Sequence, residues 1–334
     1  MKKTTIKDIA QEAGVSATTV SRYVNGSYSN MSEETRKKIE NIINKTGYRP
    51  NNVARSLRSN ASRIIGVIIS DIHNPFFAAI LGSMNHEAIR TDYSLYISFS
   101  NNSSSAETTL IQKMNDNGID ALLINTVGGN ETLIEEMGQR IPVILLDRNI
   151  EHSLLPVITS NNRDLMKKLL AHLKEQTYDN VVLLSESPHT SSVRQLRIRA
   201  FQEIATELKL NQRTVIISQN DFHESYSSAL RIDDLILKEE RTAVIAINGK
   251  VLNYILSISM NSAFQFGKDF GLVSFDDSLL NSLMGITTAT QDTTEMGRRA
   301  FYMIKSKLEE KNFCPPKEKE EIIISGKLIL RSTT

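Results

Sequence analysis

The first sixty residues space their apolar positions as helices do, whereas the rest of the chain alternates short apolar runs with helix-length segments. Ile6, Ile9, Ala10 and Ala13 fall at i, i+3, i+4 and i+7, the buried face of a first helix. Thr5 and Asp8 predict a capping box ahead of it, and Gly14 a left-handed stop that a β-carbon would resist. Ser16 predicts the N-cap of a second helix, Ala17 to about Val24, with Ala17, Val20 and Val24 inward. Ala10 and Gly14 are small where these two helices must cross. A third helix follows Ser32, carries Glu33 and Glu34 in its first turn, and ends at Gly47. Its inward face reads Thr35, Ile39, Ile42, Ile43 and Thr46. Pro50 closes this unit. Asn51 then caps a helix of 52–58 that is too short to hold in water without a partner.

From Ile64 the strand candidates are 64–70, 93–98, 120–125, 142–147, 180–185, 213–218, 242–247 and 270–275. Helices fit between them at 75–91, 104–117, 161–175, 191–209 and 223–239. Such alternation implies parallel sheets covered on both faces, enough here for two Rossmann-like lobes. Ligands in such sheets sit beyond the carboxyl ends of the strands. The predicted fold is therefore a small all-α headpiece joined to an α/β core.

Two helices joined by a tight glycine turn and braced by a third form the helix-turn-helix plan. The second helix leaves Thr18, Ser21, Arg22 and Asn25 outside, where Arg can fork onto guanine and the hydroxyls can reach bases or phosphates. A small bundle with a solvated polar face is the competing reading. Charge weighs against it. The net charge is only +1, yet residues 1–63 hold twelve Lys and Arg against five acids, and the remainder 27 against 33. A basic head on an acidic body points to double-stranded DNA as the partner of the head alone.

No enzyme constellation is visible. The end of the first strand reads SDIHNPFF, without GxGxxG or GxxxxGK[ST]. His73, His86, His152, His172, His189 and His223 lack metal-ligand spacing; His73 and His189 could line a cleft, although such residues are more often solvated loop histidines. Cys314, beside Pro315 and Pro316, has no obvious base and no disulfide partner, in keeping with a reducing cytoplasm. The serines at 103–105 read as a helix N-cap region. No cofactor is expected, and neither a signal peptide nor a membrane span is apparent.

TIKDIAQEAGVSATTVSRYVNG, MSEETRKKIE and GYRPNNVARSLRS resemble the LacI/GalR family of bacterial transcription regulators, as do VILLDR, TSNNR, FDD and GITTATQDTTEMGRRA. The resemblance implies that Ala17, Thr18 and Arg22 read bases while Thr19, Ser21 and Asn25 hold the DNA backbone. Thr5, Ser16, Asn51, Ala54 and Arg55 complete the expected DNA-facing set. Leu57 is implied as a minor-groove wedge; the alternative is that Val53 and Leu57 dock on protein. A core like periplasmic sugar-binding proteins follows, with domains 1–50, 51–60 and 61–334. Its N-lobe spans about 64–160 plus 292–319, and its C-lobe about 161–291 plus 320–334. The effector site would draw on Phe76, Phe77, Asp147, Arg197, Asn248, Asp276 and Gln291, with one of the two phenylalanines facing the ligand and the other in the core. Arg194 and Arg199 are expected at the surface or in a supporting shell. Asn161 and Gly249 stand where relatives often carry Asp, which predicts a less negative pocket.

A near-palindromic operator implies a homodimer, with Ile80, Leu81 and Met84 as either interface or core. YVNGSYSNMS and GITTATQ resemble regulators of ketodeoxygluconate catabolism, so a sugar acid is the expected effector of an allosteric repressor. A sugar receptor with the same lobes is the runner-up, but it leaves residues 1–63 unexplained.

Overall fold

The computed structural model describes residues 4–24, 26–29, 31–48, 61–189, 191–218, 230–236, 240–260, 262–310 and 312–334. The chain divides into two units, 1–62 and 63–334.

The first unit contains α1 (Ile6–Ala13), α2 (Ala17–Val24) and α3 (Glu33–Thr46). Local chemistry sets each boundary. The Thr5 side chain accepts from the Asp8 amide while Asp8 accepts from the Thr5 amide at 2.8 Å. Gly14 turns the chain at φ +68°, and the Val15 amide reaches back to the Ala10 carbonyl. Ser16 Oγ accepts from the Thr19 amide at 3.1 Å, and Ser32 caps α3 in the same way at 3.2 Å. Ile9, Ala10, Ala13, Val20, Ile39 and Ile42 close the small core. Tyr23 and Tyr28 pack at 5.8 Å, and the Arg36 guanidinium lies 4.2 Å from the Tyr28 ring centre, bracing the link between α2 and α3.

The second unit holds two six-stranded sheets. One combines β1 (Ile64–Ile69), β2 (Ser94–Phe99), β3 (Ala121–Ile124), β4 (Val143–Leu146), β5 (Val157–Ser160) and β11 (Glu321–Ile324), in the order β11-β5-β4-β3-β1-β2. Its helices are α4 (Pro75–Ala88), α5 (Ser104–Asp116), α6 (Glu131–Gly138) and α11 (Thr293–Glu309). The other combines β6 (Asn180–Glu186), β7 (Asn211–Ile217), β8 (Thr242–Ala246), β9 (Gly271–Phe275), β10 (Thr287–Thr290) and β12 (Lys327–Ile329), in the order β12-β10-β9-β8-β6-β7. It carries α7 (Asn162–Glu175), α8 (Ser192–Glu207), α9 (Gly249–Ser259) and α10 (Leu279–Leu283). Among the described residues, all strand pairings are parallel except β10 with β12. The central strands are buried on both faces, as parallel strands under helices must be.

The eight strand candidates all form, within two residues of their expected ends. Four further strands escape the apolar pattern. β10 reads TTAT and is buried because its hydroxyls find partners, such as Thr288 Oγ1 donating to Asp277 at 3.2 Å. The helix expected at 223–239 is not seen in its described part, where 230–236 holds only a 3-10 turn at Ile232–Asp234. The lobe boundary expected at 319/320 is also corrected. β11 pairs in parallel with β5, so the chain stays in the N-lobe through Ile324 and crosses at Ser325–Gly326.

Ile80, Leu81 and Met84 prove to be core. All three are buried where α4 packs on α11, leaving no part for them at an interface. The two helices approach so closely that a β-carbon on Gly297 would lie 2.4 Å from the Ile80 carbonyl oxygen.

Candidate functional site

On the first unit, α2 leaves Ser16, Thr18 and Arg22 exposed and Ala17, Thr19 and Ser21 half-buried. Ser16 and Thr19 exchange a 2.9 Å hydroxyl contact, so Ser16 works as a cap and Thr5 as half of a capping box. Asn25, Asn51, Ala54, Arg55 and Leu57 lie outside the described residues, as does His223.

In the second unit, the chemistry gathers where strands end. Asp71 follows β1, Asp147 follows β4, Glu186 ends β6, and Asn248, Asp276 and Gln291 follow β8, β9 and β10. Asp147 and Asp276 adopt φ +64° and +68°, left-handed conformations that non-glycine residues enter at a cost of roughly 1–3 kcal/mol.

Arg197 organises the cleft. It is buried, donates Nε to Asn162 Oδ1 and Nη1 to the Ile247 carbonyl, both at 2.8 Å, and stacks 4.1 Å from the Phe275 ring centre. Burial pushes its guanidinium below the ordinary range, against the pull of Asp276 and Asp147. Gln291 Nε2 donates to Asp276 at 2.6 Å. Burial raises the Asp276 carboxyl despite Arg197, Gln291 and the Gly249 amide, which all favour its charged form. Burial likewise lifts Asp147 to about 6, with Arg197 and Arg148 opposing. Asp147 Oδ1 and Gln291 Oε1 are buried without a hydrogen-bond partner among the described residues. A cavity of about 620 Å³ opens beside Asp147, lined by Ser160 and Ile323 of one lobe and Asn162, Ser192 and Leu196 of the other.

Several residues that sequence reasoning passed over complete the cleft. Arg148, adjacent to Asp147 in VILLDR, is buried and donates Nη1 to the Thr126 carbonyl at 2.9 Å. Burial and the Arg194 charge lower it to about 10. Lys250 of α9 bridges the lobes, 3.1 Å from Asp71 and 3.6 Å from Glu186. Burial drives the Asp71 carboxyl up, but Lys250 prevails and holds it below its ordinary value. Glu186 also accepts from Asn248 Nδ2 at 2.8 Å.

One expectation needs correction. Phe76 and Phe77 are both buried in the N-lobe core, edge to face at 5.1 Å, so neither shows an open ring to a ligand. Arg194, expected at the surface or in a supporting shell, has a side chain that is only 12% exposed. His73 and His189 are exposed. Around the cleft, Asp71, Asp147, Glu186 and Asp276 stand beside Arg148, Arg194, Arg197 and Lys250. Asn161 takes a structural part instead, its Oδ1 accepting from the Gly326 amide at the crossover, 2.8 Å away.

Known proteins share this architecture. Residues 5–51 match the family described as bacterial regulatory proteins, lacI family, and residues 170–334 match a periplasmic binding protein-like domain. The HTH-type transcriptional regulator KdgR of Bacillus subtilis (strain 168) is 31% identical over 335 residues, covering 99% of this chain and 97% of its own. The chain belongs to the LacI family. The HTH-type transcriptional regulator PtxS of Pseudomonas putida is 27% identical over 92% of this chain and 90% of its own. A lac repressor dimer bound to operator and the anti-inducer ONPF superposes with a TM-score of 0.83 at 23% identity, over 100% of this chain and 99% of that one. The protein is thus a DNA-binding transcriptional regulator with the two-lobed core of its LacI-family relatives. Among the described residues, no helix is long and apolar enough to cross a membrane.

Proposed function

We propose that this regulator binds its operator as a homodimer and that a sugar acid held between the core lobes changes its DNA affinity. The observation that carries the reading is the set of unspent hydrogen-bonding atoms in the cleft. Asp147 Oδ1 and Gln291 Oε1 are acceptors awaiting donors. Arg197 Nη2 is a donor without an acceptor among the described residues. A polyhydroxylated acid offers hydroxyl donors to the first two and a carboxylate or hydroxyl oxygen to the third. The family resemblance of YVNGSYSNMS and GITTATQ to ketodeoxygluconate regulators supports 2-keto-3-deoxygluconate as the compound.

The DNA-facing set is Ala17, Thr18, Thr19, Ser21 and Arg22 on α2, with Asn25 assigned from the sequence reading of that helix and Asn51, Ala54, Arg55 and Leu57 from the family resemblance. For the dimer, the C-lobe offers an apolar groove lined by Leu256, Phe264 and Leu280 and flanked by Met260, Leu279 and Leu283, which are 75–82% exposed. A face of that kind on a soluble domain is an association surface, and a second copy of the chain is its occupant. Ligand closing the cleft moves the lobes and thereby the headpieces, a coupling of about 1–3 kcal/mol.

The test is fluorescence anisotropy of the purified protein on DNA upstream of its own gene, with and without 2-keto-3-deoxygluconate. High affinity that falls steeply with salt and shifts with the compound is expected. Binding that ignores the compound but responds to neutral sugars would overturn the sugar-acid assignment and leave the regulator intact.

A further inference from the structure

α9 begins with a charge that its own backbone disfavours. Asn248 caps the helix, Gly249 is its first residue and Lys250 its second, so an ammonium stands where the helix dipole is positive and an acid would be stabilising. The Lys250 side chain is nonetheless only 28% exposed and reaches two carboxylates, Asp71 Oδ2 at 3.1 Å and Glu186 Oε1 at 3.6 Å. Glu186 and Lys250 belong to the C-lobe. Asp71 follows β1 in the N-lobe, 179 residues away.

Each side of this contact is fixed by its own lobe. In the N-lobe, Asp71 Oδ1 accepts from the His73 amide at 2.9 Å and Oδ2 from Asn102 Nδ2 at 3.2 Å. In the C-lobe, Glu186 Oε2 accepts from Asn248 Nδ2 at 2.8 Å and lies 3.1 Å from Arg194 Nε, which leaves Oε1 turned to Lys250. Asn248 in turn holds the first turn of α9 by accepting from the Val251 amide at 2.9 Å. Carboxylate and ammonium therefore meet already oriented, and little side-chain freedom is lost when they pair. The Asp71 and Glu186 side chains are 10% and 12% exposed, so salt screens the pairing less than it would at the surface. The backbones approach at the same place: a β-carbon on Gly249 would lie 3.6 Å from Pro75 Cδ, at the start of α4. The contact is direct and needs no bound molecule to complete it. It exists only while the lobes are together, so it favours that arrangement over every more open one.

We propose that Lys250 and Asp71 form an ion-pair latch between the lobes, oriented by Glu186, which stabilises the closed arrangement of the core by itself and lowers the closure that an effector must drive. The latch is independent of which compound occupies the cleft.

The test measures the distance between the lobes by double electron–electron resonance on the full-length protein, without sugar or DNA. Spin labels are placed at two exposed positions, E136C in α6 of the N-lobe and Q202C in α8 of the C-lobe, in a C314S background. Labelled chains are diluted with excess unlabelled protein, so that a dimer carries one pair. The latch predicts that K250M and D71N each lengthen the distance by more than about 2 Å, whereas K250R keeps it. Because both substitutions remove the same bond, D71N and K250M together should go no further than either alone. Thermal melting checks the folding of each variant, and D71N carries the comparison if K250M does not fold. Distances in the folded variants that superpose on the reference would overturn the latch. Shifts that add in the double variant would overturn it as well, since they would mark two separate local contacts.

Discussion

The headpiece and the cleft both carry arginine and hydroxyl groups at the places proposed for recognition, yet they hold them in opposite ways. On α2, Thr18 and Arg22 stand in water on a helix whose ends are set by caps three residues long. In the cleft, Arg148 and Arg197 are 4% exposed and are held by partners 22 to 50 residues away in sequence. The difference follows from the ligand. DNA is a large polyanion whose charge reaches through water, so exposed cations suffice and salt weakens them. A small polar ligand must be gripped in a dry space, where every group has to be placed beforehand and left partly unsatisfied.

That contrast predicts a graded series of effects, the largest in the cleft. Replacing Arg197 with Ala leaves Asp276 and Asp147 buried without their cation, and the core should lose about 3–5 kcal/mol in denaturant unfolding. The effector response should vanish in the same variant. Arg197→Lys should keep the fold and operator binding but still lose the response, because Lys cannot fork onto Asn162 and Ile247 together. A variant of either kind that responds normally would move the effector site elsewhere.

Asp147 yields a pH signature. Burial lifts its carboxyl to about 6, so between roughly pH 4 and pH 6 the folded chain holds a proton that the unfolded chain has released. Its contribution to stability is therefore greatest at low pH and is lost as pH rises through that window. Asp147→Asn should stabilise the core at pH 7.5 by up to about 3 kcal/mol, an advantage that fades towards pH 4, while sugar affinity drops. Melting curves at the two pH values read this directly, and no gain at pH 7.5 would contradict the buried, ionised carboxylate.

Effects in the headpiece should be smaller. Arg22→Ala should cost about 1–3 kcal/mol in operator binding and relax preference at one base pair, without touching effector affinity. A uniform loss on all DNA sequences would make it a phosphate contact instead. Thr5→Ala removes one half of the capping box, and the headpiece should lose about 1 kcal/mol by hydrogen exchange with the core unchanged.

How much of this was legible beforehand divides along the same line. The capping box at Thr5, the left-handed Gly14, the N-caps at Ser16 and Ser32 and the inward Ile39 and Ile42 depend on residues within one or two turns. Local spacing therefore suffices to read them. Asp147, Arg197, Asn248, Asp276 and Gln291 were also within reach, because strand ends can be recognised and the family resemblance points to them. Arg148, Glu186 and Lys250 were not. Nothing near Lys250 announces an Asp71 that lies 179 residues away, and Arg148 reads as an ordinary charged residue after a strand.

By itself, then, the sequence determined the helix-turn-helix headpiece, the alternating α/β plan and the strand ends at which a ligand would sit. These rest on periodicity and on backbone chemistry spanning a few residues. Tertiary structure alone decided that TTAT is a buried strand, that β11 stays with the N-lobe, that Ile80, Leu81 and Met84 are core, and that Lys250 reaches both Asp71 and Glu186. Each depends on which distant segments share a sheet or a lobe. The energy of burying a polar or charged group is set by the partners that the fold brings to it, not by its neighbours along the chain.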